Sequence, residues 1–218
     1  MALPLLPSTP ASPALLSTLT DQARSCTWVL VIGEVNAALL EALLAAEAPV
    51  LAVLPNPRSM DTLAERWGGC WPERLQVASE LVGPESIERP WYSYNDSRFD
   101  GLVGPELLQT RYPNLKLSAL ELRQQRTLAE LLASWPPAQQ AGGMLLLGDG
   151  TSADLVSGAG DYLRQLRWLS WLGDGGDSVS PFSHAELDQV LREHWLVRAP
   201  QDPTAPELSS WQRDETLV

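Results

Sequence analysis

The sequence predicts an α/β fold, a doubly wound and mostly parallel sheet in a single domain, and three observations predict it. Trp28-Val29-Leu30-Val31-Ile32 is an unbroken apolar run that stops at Gly33. Val50-Leu51-Ala52-Val53 is a second such run, and Met144-Leu145-Leu146-Leu147, entered through Gly142-Gly143, is another. Unbroken rather than alternating apolar runs mark strands buried on both faces, as parallel strands are. An Ala/Leu-rich helical segment separates the first two. Strand, glycine turn, helix and strand make the first βαβ unit of a nucleotide-binding sheet.

The elements follow in order. Pro4, Pro7, Pro10 and Pro13 interrupt the start of the chain, so 1–13 reads as a flexible leader. Residues 14–24 carry Leu15, Leu16 and Leu19 at helical spacing. The first strand, 28–32, is followed by a helix over 36–47 and a strand over 50–54. A helix over 59–67 has Asp61 in its first turn, where a carboxylate suits the helix dipole. A third strand covers 75–78. The stretch 83–116 is punctuated by Pro and Gly and holds Tyr, Asn and Trp, which predicts long loops over the sheet. A short helix spans 127–133, and the fourth strand spans 144–147. Residues 152–171 read as largely helical, weakened by Gly158 and Gly160. Ser183 with Glu186 forms a capping-box pattern opening a helix that ends near His194, and 195–197 is a closing strand. From Pro200 the chain is polar and Pro-rich. The expected division is leader 1–13, domain 14–199 and mobile polar tail 200–218.

Composition narrows the function. The 218 residues are 44% hydrophobic and 19% charged, ordinary for a globular chain. The net charge of −12, with no Lys/Arg run, would repel a phosphate backbone or an anionic membrane surface. No apolar run approaches the roughly 18–20 residues needed to span a bilayer, and no positive n-region precedes the apolar start. Cys26 and Cys70 fit neither a metal spacing nor a disulfide framework, which favours a reducing, cytoplasmic setting. His184 and His194 have no partner at metal spacing, so no metal site is expected. Asp174-Gly175-Gly176-Asp177 lacks the further ligands of a calcium loop and reads as solvated. Most of the nine tryptophans read as packing residues, with Trp168 and Trp171 on one helix face. Trp91, Tyr92 and Tyr94, in a loop, are the better binding candidates.

The second strand ends unusually. In a nucleotide-binding βαβ unit this strand closes on Asp or Glu, which grips a ribose. Here Val53 runs into Leu54-Pro55-Asn56-Pro57. The chain nevertheless resembles the FkbM-type family of S-adenosylmethionine-dependent methyltransferases over nearly its whole length after the leader. Val29-Leu30-Val31-Ile32-Gly33 is similar to the family's opening strand and glycine turn. Val53-Leu54-Pro55-Asn56-Pro57 is similar to its Glu-Pro-Asn-Pro strand end. Trp91-Tyr92-Ser93-Tyr94-Asn95 through Tyr112-Pro113, then Arg126-Thr127-Leu128-Ala129-Glu130-Leu131-Leu132, resembles its asparagine loop and Thr-Leu-Asp-x-Leu helix. Leu145-Leu146-Leu147-Gly148-Asp149-Gly150-Thr151-Ser152 through Gly158-Ala159 resembles its Lys-Ile-Asp-Val-x-Gly-Ala-Glu strand, turn and helix.

The resemblance implies a single Rossmann-like methyltransferase domain that transfers a methyl group from S-adenosylmethionine to a hydroxyl of a sugar or metabolite. The cofactor would lie over Gly33, Glu34, Leu54 and Asn56. Tyr94 and Asn95 would position a small-molecule or glycan acceptor, and Asp149 would be the base that takes its proton. The departures fall on the family's polar positions: Val31, Leu54, Leu147 and Ser152 stand where acids are usual, and Ala37 where a second glycine is. Loss of the ribose acid removes roughly 2–4 kcal/mol of binding, about 30- to 1000-fold. The alternative expectation is therefore a non-catalytic binding or scaffold protein on a degenerate methyltransferase fold, with a protein partner or a role in glycan assembly.

Overall fold

Ser12 accepts the amide of Leu15 and Pro13 takes the first helical position, so the chain enters α1 (Pro13–Arg24) directly. The computed structural model describes residues 11–67, 73–148, 153–173 and 184–216. After α1 come β1 (Trp28–Ile32), α2 (Ala37–Leu44), β2 (Val50–Val53), α3 (Pro57–Trp67) and β3 (Leu75–Ala78). Next are β4 (Leu81–Val82), β5 (Glu88–Tyr94), α4 (Pro105–Arg111), β6 (Leu117–Arg126) and α5 (Leu128–Ala133). The chain ends with β7 (Gly142–Leu147), α6 (Ala153–Ser157), β8 (Leu166–Leu172), α7 (His184–Arg192), β9 (Leu196–Arg198) and β10 (Leu208–Arg213).

The main sheet has seven strands in the order β3-β2-β1-β7-β8-β10-β9. The first five are parallel to one another; β10 runs antiparallel to both neighbours. Apart from that reversed strand, the order is the doubly wound one, with its switch point between β1 and β7. This is a Rossmann-like, mostly parallel α/β sheet. Alternation along β1 and β2 divides the core. Trp28, Leu30, Leu51 and Val53 face α5, α6 and α7, while Val29, Val31, Val50 and Ala52 face α1, α2 and α3.

The two glycines that open β7 have a packing reason. Gly142 lies opposite Trp28 on β1 and Gly143 opposite Trp168 on β8. Each indole occupies the space where the neighbouring glycine's side chain would be. Trp28 is fully buried, donates to the Gln140 carbonyl at 2.7 Å and packs edge-on against Trp135 at 5.5 Å.

Three sequence expectations are corrected. The helix expected over 152–171 stops at Ser157. Gly160 takes a positive φ of 54°, and Leu166–Leu172 is strand β8, so Trp168 and Trp171 lie on a strand and not on a helix. Short apolar runs do not separate helix from strand by periodicity alone. The expected loops over 83–116 contain β5 and α4, and β5 pairs antiparallel with β6 beyond them, giving a second sheet in the order β4-β6-β5. The expected mobile tail supplies β10, which lies inside the main sheet with Trp211 fully buried. Its Ser210 helped conceal it, because that hydroxyl hydrogen-bonds Ser170 and Gln22 between elements. Residues 1–10 of the leader, Cys70, the Asp174 to Asp177 loop and Ser183 lie outside the described residues.

Candidate functional site at the carboxyl ends of the strands

Open α/β sheets bind ligands beyond the carboxyl ends of their strands, beside the switch point. In this chain two glycine turns meet there. Gly33 ends β1 at a φ of 109°, and a side chain on it would come within 2.5 Å of the Leu147 carbonyl oxygen. Gly148 ends β7 at a φ of 77°. Both positions need the conformational freedom of glycine. Their amides are held by neighbouring strands, Gly33 donating to Val53 and Gly148 to Leu172, each at 3.0 Å.

Glu34 follows in the turn and keeps solvent contact. Crowding by the surrounding chain raises its carboxyl from the ordinary range, against a lowering hydrogen bond from the Ser59 side chain. Asn36 closes the turn by capping α2, its side chain accepting from the Leu39 amide at 2.9 Å. Gly33 and Glu34 thus lie just beyond the carboxyl end of β1, beside the switch point.

The other expected contacts have structural employment. Leu54 is 1% exposed and packs among apolar side chains that include Val31, Ala52 and Leu63. Asn56 is buried; its Oδ1 accepts from the Arg58 amide at 3.1 Å and its Nδ2 donates to the Ser97 carbonyl at 3.2 Å. Tyr94 is fully buried and donates its hydroxyl to the Val103 carbonyl at 2.8 Å. Burial raises its phenol, helped by Tyr92, Glu106 and Asp100. Asn95 accepts from the Lys116 amide at 2.8 Å and fastens the loop between β5 and β6. Tyr94 is therefore corrected from an acceptor-positioning residue to a core residue, while Asn95 stays exposed beside the loop it fastens. Asp149 and Ser152 lie outside the described residues.

Sequence reasoning missed Arg123. From β6 it reaches across the ends of two strands. Its Nη1 donates to the Pro55 carbonyl beyond β2 at 2.5 Å, and its Nη2 to the Ser79 hydroxyl beyond β3 at 3.2 Å. Its guanidinium lies over the buried Trp91 ring, 4.7 Å from the centroid. Asp100 completes the fastening: it accepts from the Tyr94 amide at 2.7 Å and pairs with Arg58 of α3 at 3.6 Å. Only the pairing of β5 with β6, which loop-like composition hid, brings Arg123 to this place.

S-adenosylmethionine does not fit these residues in the usual way. Ribose hydroxyls need an acceptor at the end of β2, and that position is an apolar side chain buried in the core. The Pro55 carbonyl just beyond accepts from the Arg123 guanidinium, which carries donors only and offers a ribose hydroxyl no acceptor. Among the described residues no group of three or more His, Cys, Asp or Glu side chains is placed to hold a metal ion.

Neither a family model nor a curated protein matches the sequence. Solved structures do. Magnesium protoporphyrin IX methyltransferase (ChlM) from Synechocystis PCC 6803 with bound SAM aligns at 10% identity and a TM-score of 0.44, over 92% of this chain and 77% of that one. The SAM-dependent methyltransferase from Agrobacterium tumefaciens aligns at 10% identity and 0.41, over 92% and 61%. The 1,6-didemethyltoxoflavin-N1-methyltransferase of Burkholderia thailandensis, with bound 1,6-didemethyltoxoflavin and S-adenosylhomocysteine, aligns at 14% identity and 0.36, over 91% and 80%. Likenesses this distant assign neither cofactor nor acceptor to this chain.

His184 is set among aromatic rings. His184 lies edge-on to Trp171 at 5.3 Å, and its Nε2 meets the Ser209 hydroxyl at 3.1 Å. Burial lowers its pKa, Arg198 lowers it further, and Asp188 partly opposes them. Burial also lowers that of His194, with Arg164 adding to it and Glu193 and Asp161 opposing. A base with a depressed native pKa binds more protons unfolded than folded, so its stability contribution is complete above about 6.5 and is lost as pH falls below that value. The urea midpoint should therefore drop between pH 7.5 and pH 5.5. The drop should be smaller in a His184→Asn/His194→Asn double variant; equal drops would remove the histidines as its cause.

Proposed function

We propose that this chain is a non-catalytic binding or scaffold module on a methyltransferase fold, related to the FkbM-type proteins by its strand-end pattern. The carrying observation is the end of β2, where Leu54 is buried and Arg123 holds the Pro55 carbonyl. A nucleoside anchor is replaced there by a structural fastening between the main sheet and the β5–β6 hairpin. In this reading the module works in a cytoplasmic setting and serves a protein partner or the assembly of a glycan. Among the described residues no helix is long and apolar enough to cross a membrane.

A second reading has one observation in its favour. Glu34, in solvent contact just past the Gly33 turn, is a carboxylate that can face a ribose from the β1 side. In that case the protein methylates a hydroxyl of a sugar or metabolite, with Asp149 as the base. Isothermal titration of the full chain with S-adenosylmethionine and S-adenosylhomocysteine separates the two. No heat and no thermal shift at millimolar ligand is the expected result. Micromolar binding that is lost in Glu34→Gln would establish the second reading and overturn the first.

A further inference from the structure

The β5–β6 hairpin carries a feature that its fastening to the main sheet does not explain. Strand β6 is ten residues long, yet β4 covers its outer edge only at Gln125 and Arg126. Within β6 the amide of Gln125 points toward the β5 side, donating to Ile87, while the carbonyl of Arg126 points the other way, accepting from Gly83. By strand alternation, Leu120, Leu122 and Gln124 turn their backbone N–H and C=O groups to that outer edge. The side chains there are apolar and exposed: Leu120 at 57% and Leu122 at 68%. Tyr92 and Pro90 stand opposite them on β5. Leu107, on α4, is 75% exposed. Proteins blunt free edges with lysine, proline, bulges or a covering element. Among the described residues the outer edge over 120–124 has none of these, and the one bulge of the hairpin lies further back, at Ser93/Tyr94.

We infer that this edge is a homodimer interface, in which β6 pairs antiparallel with β6 of a second copy about a two-fold axis through Leu122. The sequence of the strand is complementary to itself in that register. Leu122 meets its own copy as a hydrogen-bonded pair, and Leu120 falls diagonal to Leu122 of the other copy, so four leucines form one continuous row. On the opposite face Glu121, which also lies 3.9 Å from Arg123 of its own strand, stands directly across from Arg123 of the second copy, so each pair of opposite charges gains a second, longer-range neighbour. Opposite charges at that spacing stabilise a cross-strand pair, and like charges would oppose it. Shifting the register by two, to centre on Glu121, would place the two Glu121 carboxylates face to face. β4 ends the pairing beyond Gln124 on each copy, which fixes its length at 120–124. A two-fold closes after one partner, so the edge is satisfied without filament growth.

The test uses the full chain. Sedimentation velocity from 1 to 100 μM should show conversion toward twice the 23.8 kDa chain mass. Leu122→Lys, which puts two ammonium groups on the axis, should shift the midpoint of that conversion at least tenfold upward in concentration. Its circular dichroism, and its melting temperature at 1 μM or below where the chain is monomeric, should match wild type, because the side chain it replaces is mostly in solvent in the single chain. Register is read separately in a Cys26→Ser/Cys70→Ser background. A residue on the axis lies about 5.5 Å from its copy in Cα distance, within disulfide reach. Leu122→Cys should therefore form a disulfide-linked dimer on mild oxidation, and Leu120→Cys should not. A monomer at 100 μM overturns the proposal. So does a dimer that Leu122→Lys leaves intact, or one that cross-links through position 120 rather than 122.

Discussion

Gly142→Ala is expected to destabilise the chain by about 3 kcal/mol, the upper end for overpacking a filled core. The position is opposite Trp28 across the β1–β7 ladder, and the indole fills the place a methyl group would need. Two features prevent an easy escape. The Trp28 nitrogen is tied to the Gln140 carbonyl, and the far edge of the ring packs against Trp135. The indole must therefore break its hydrogen bond, or the two strands must separate at the centre of the sheet. The prediction has an internal control. In a Trp28→Leu background the space is vacated, and the same Gly142→Ala change should cost less than half as much. Urea unfolding of the four proteins gives this coupling directly. Additive penalties would show that the glycine serves its backbone conformation and not the ring beside it.

The fold was legible wherever a single physical signal dominated. β1, β2 and β7 are unbroken apolar runs because both faces are buried, and their short length and flanking turn residues favour strand over buried helix. β10 was missed for the opposite reason. Its Ser209, Ser210 and Gln212 read as surface, but Ser210 hydrogen-bonds Ser170 and Gln22 inside the sheet. A half-buried polar position that is partnered by other elements leaves no hydrophobic trace in its own segment. The hairpin was missed for a third reason. β6 presents Leu117, Leu120 and Leu122 to solvent, so its pattern does not follow burial at all.

The candidate site divides along the same line. Gly33 and Glu34 stand where local sequence placed them, because a strand, a glycine turn and a capped helix form a local unit. Tyr94 and Asn95 were read as ligand-facing because they lie in a Pro- and Gly-rich stretch, and that stretch turned out to be fastened by their side chains. Arg123 was not foreseeable from its own neighbours. It lies 68 residues from the Pro55 carbonyl it holds, and only the hairpin brings the two together. The anomaly at Leu54 was visible in the sequence. Its physical reason, a side chain built into the apolar layer between β2 and α3, needed the structure.

That layer makes Leu54→Glu the most direct test of whether the crevice is a ligand site or part of the core. As core, the substitution should destabilise the chain by about 3–5 kcal/mol. It removes a buried leucine and leaves a carboxyl group without a partner in its place. The burial would raise the new carboxyl's pKa, so its native state would be the protonated one. The penalty should then grow as pH rises, because the unfolded chain gives up that proton near its ordinary value while the folded chain does not. The melting temperature should accordingly fall further below wild type at pH 8 than at pH 5. Leu54→Met, with nearly the same volume, should cost under about 1.5 kcal/mol at either pH. Titration of Leu54→Glu with S-adenosylmethionine should give no heat, since Arg123 still occupies the Pro55 carbonyl. A variant as stable as wild type that binds the cofactor would mean that the end of β2 opens to water, that the family's ribose acid is one substitution away, and that the fastening by Arg123 yields to a ligand.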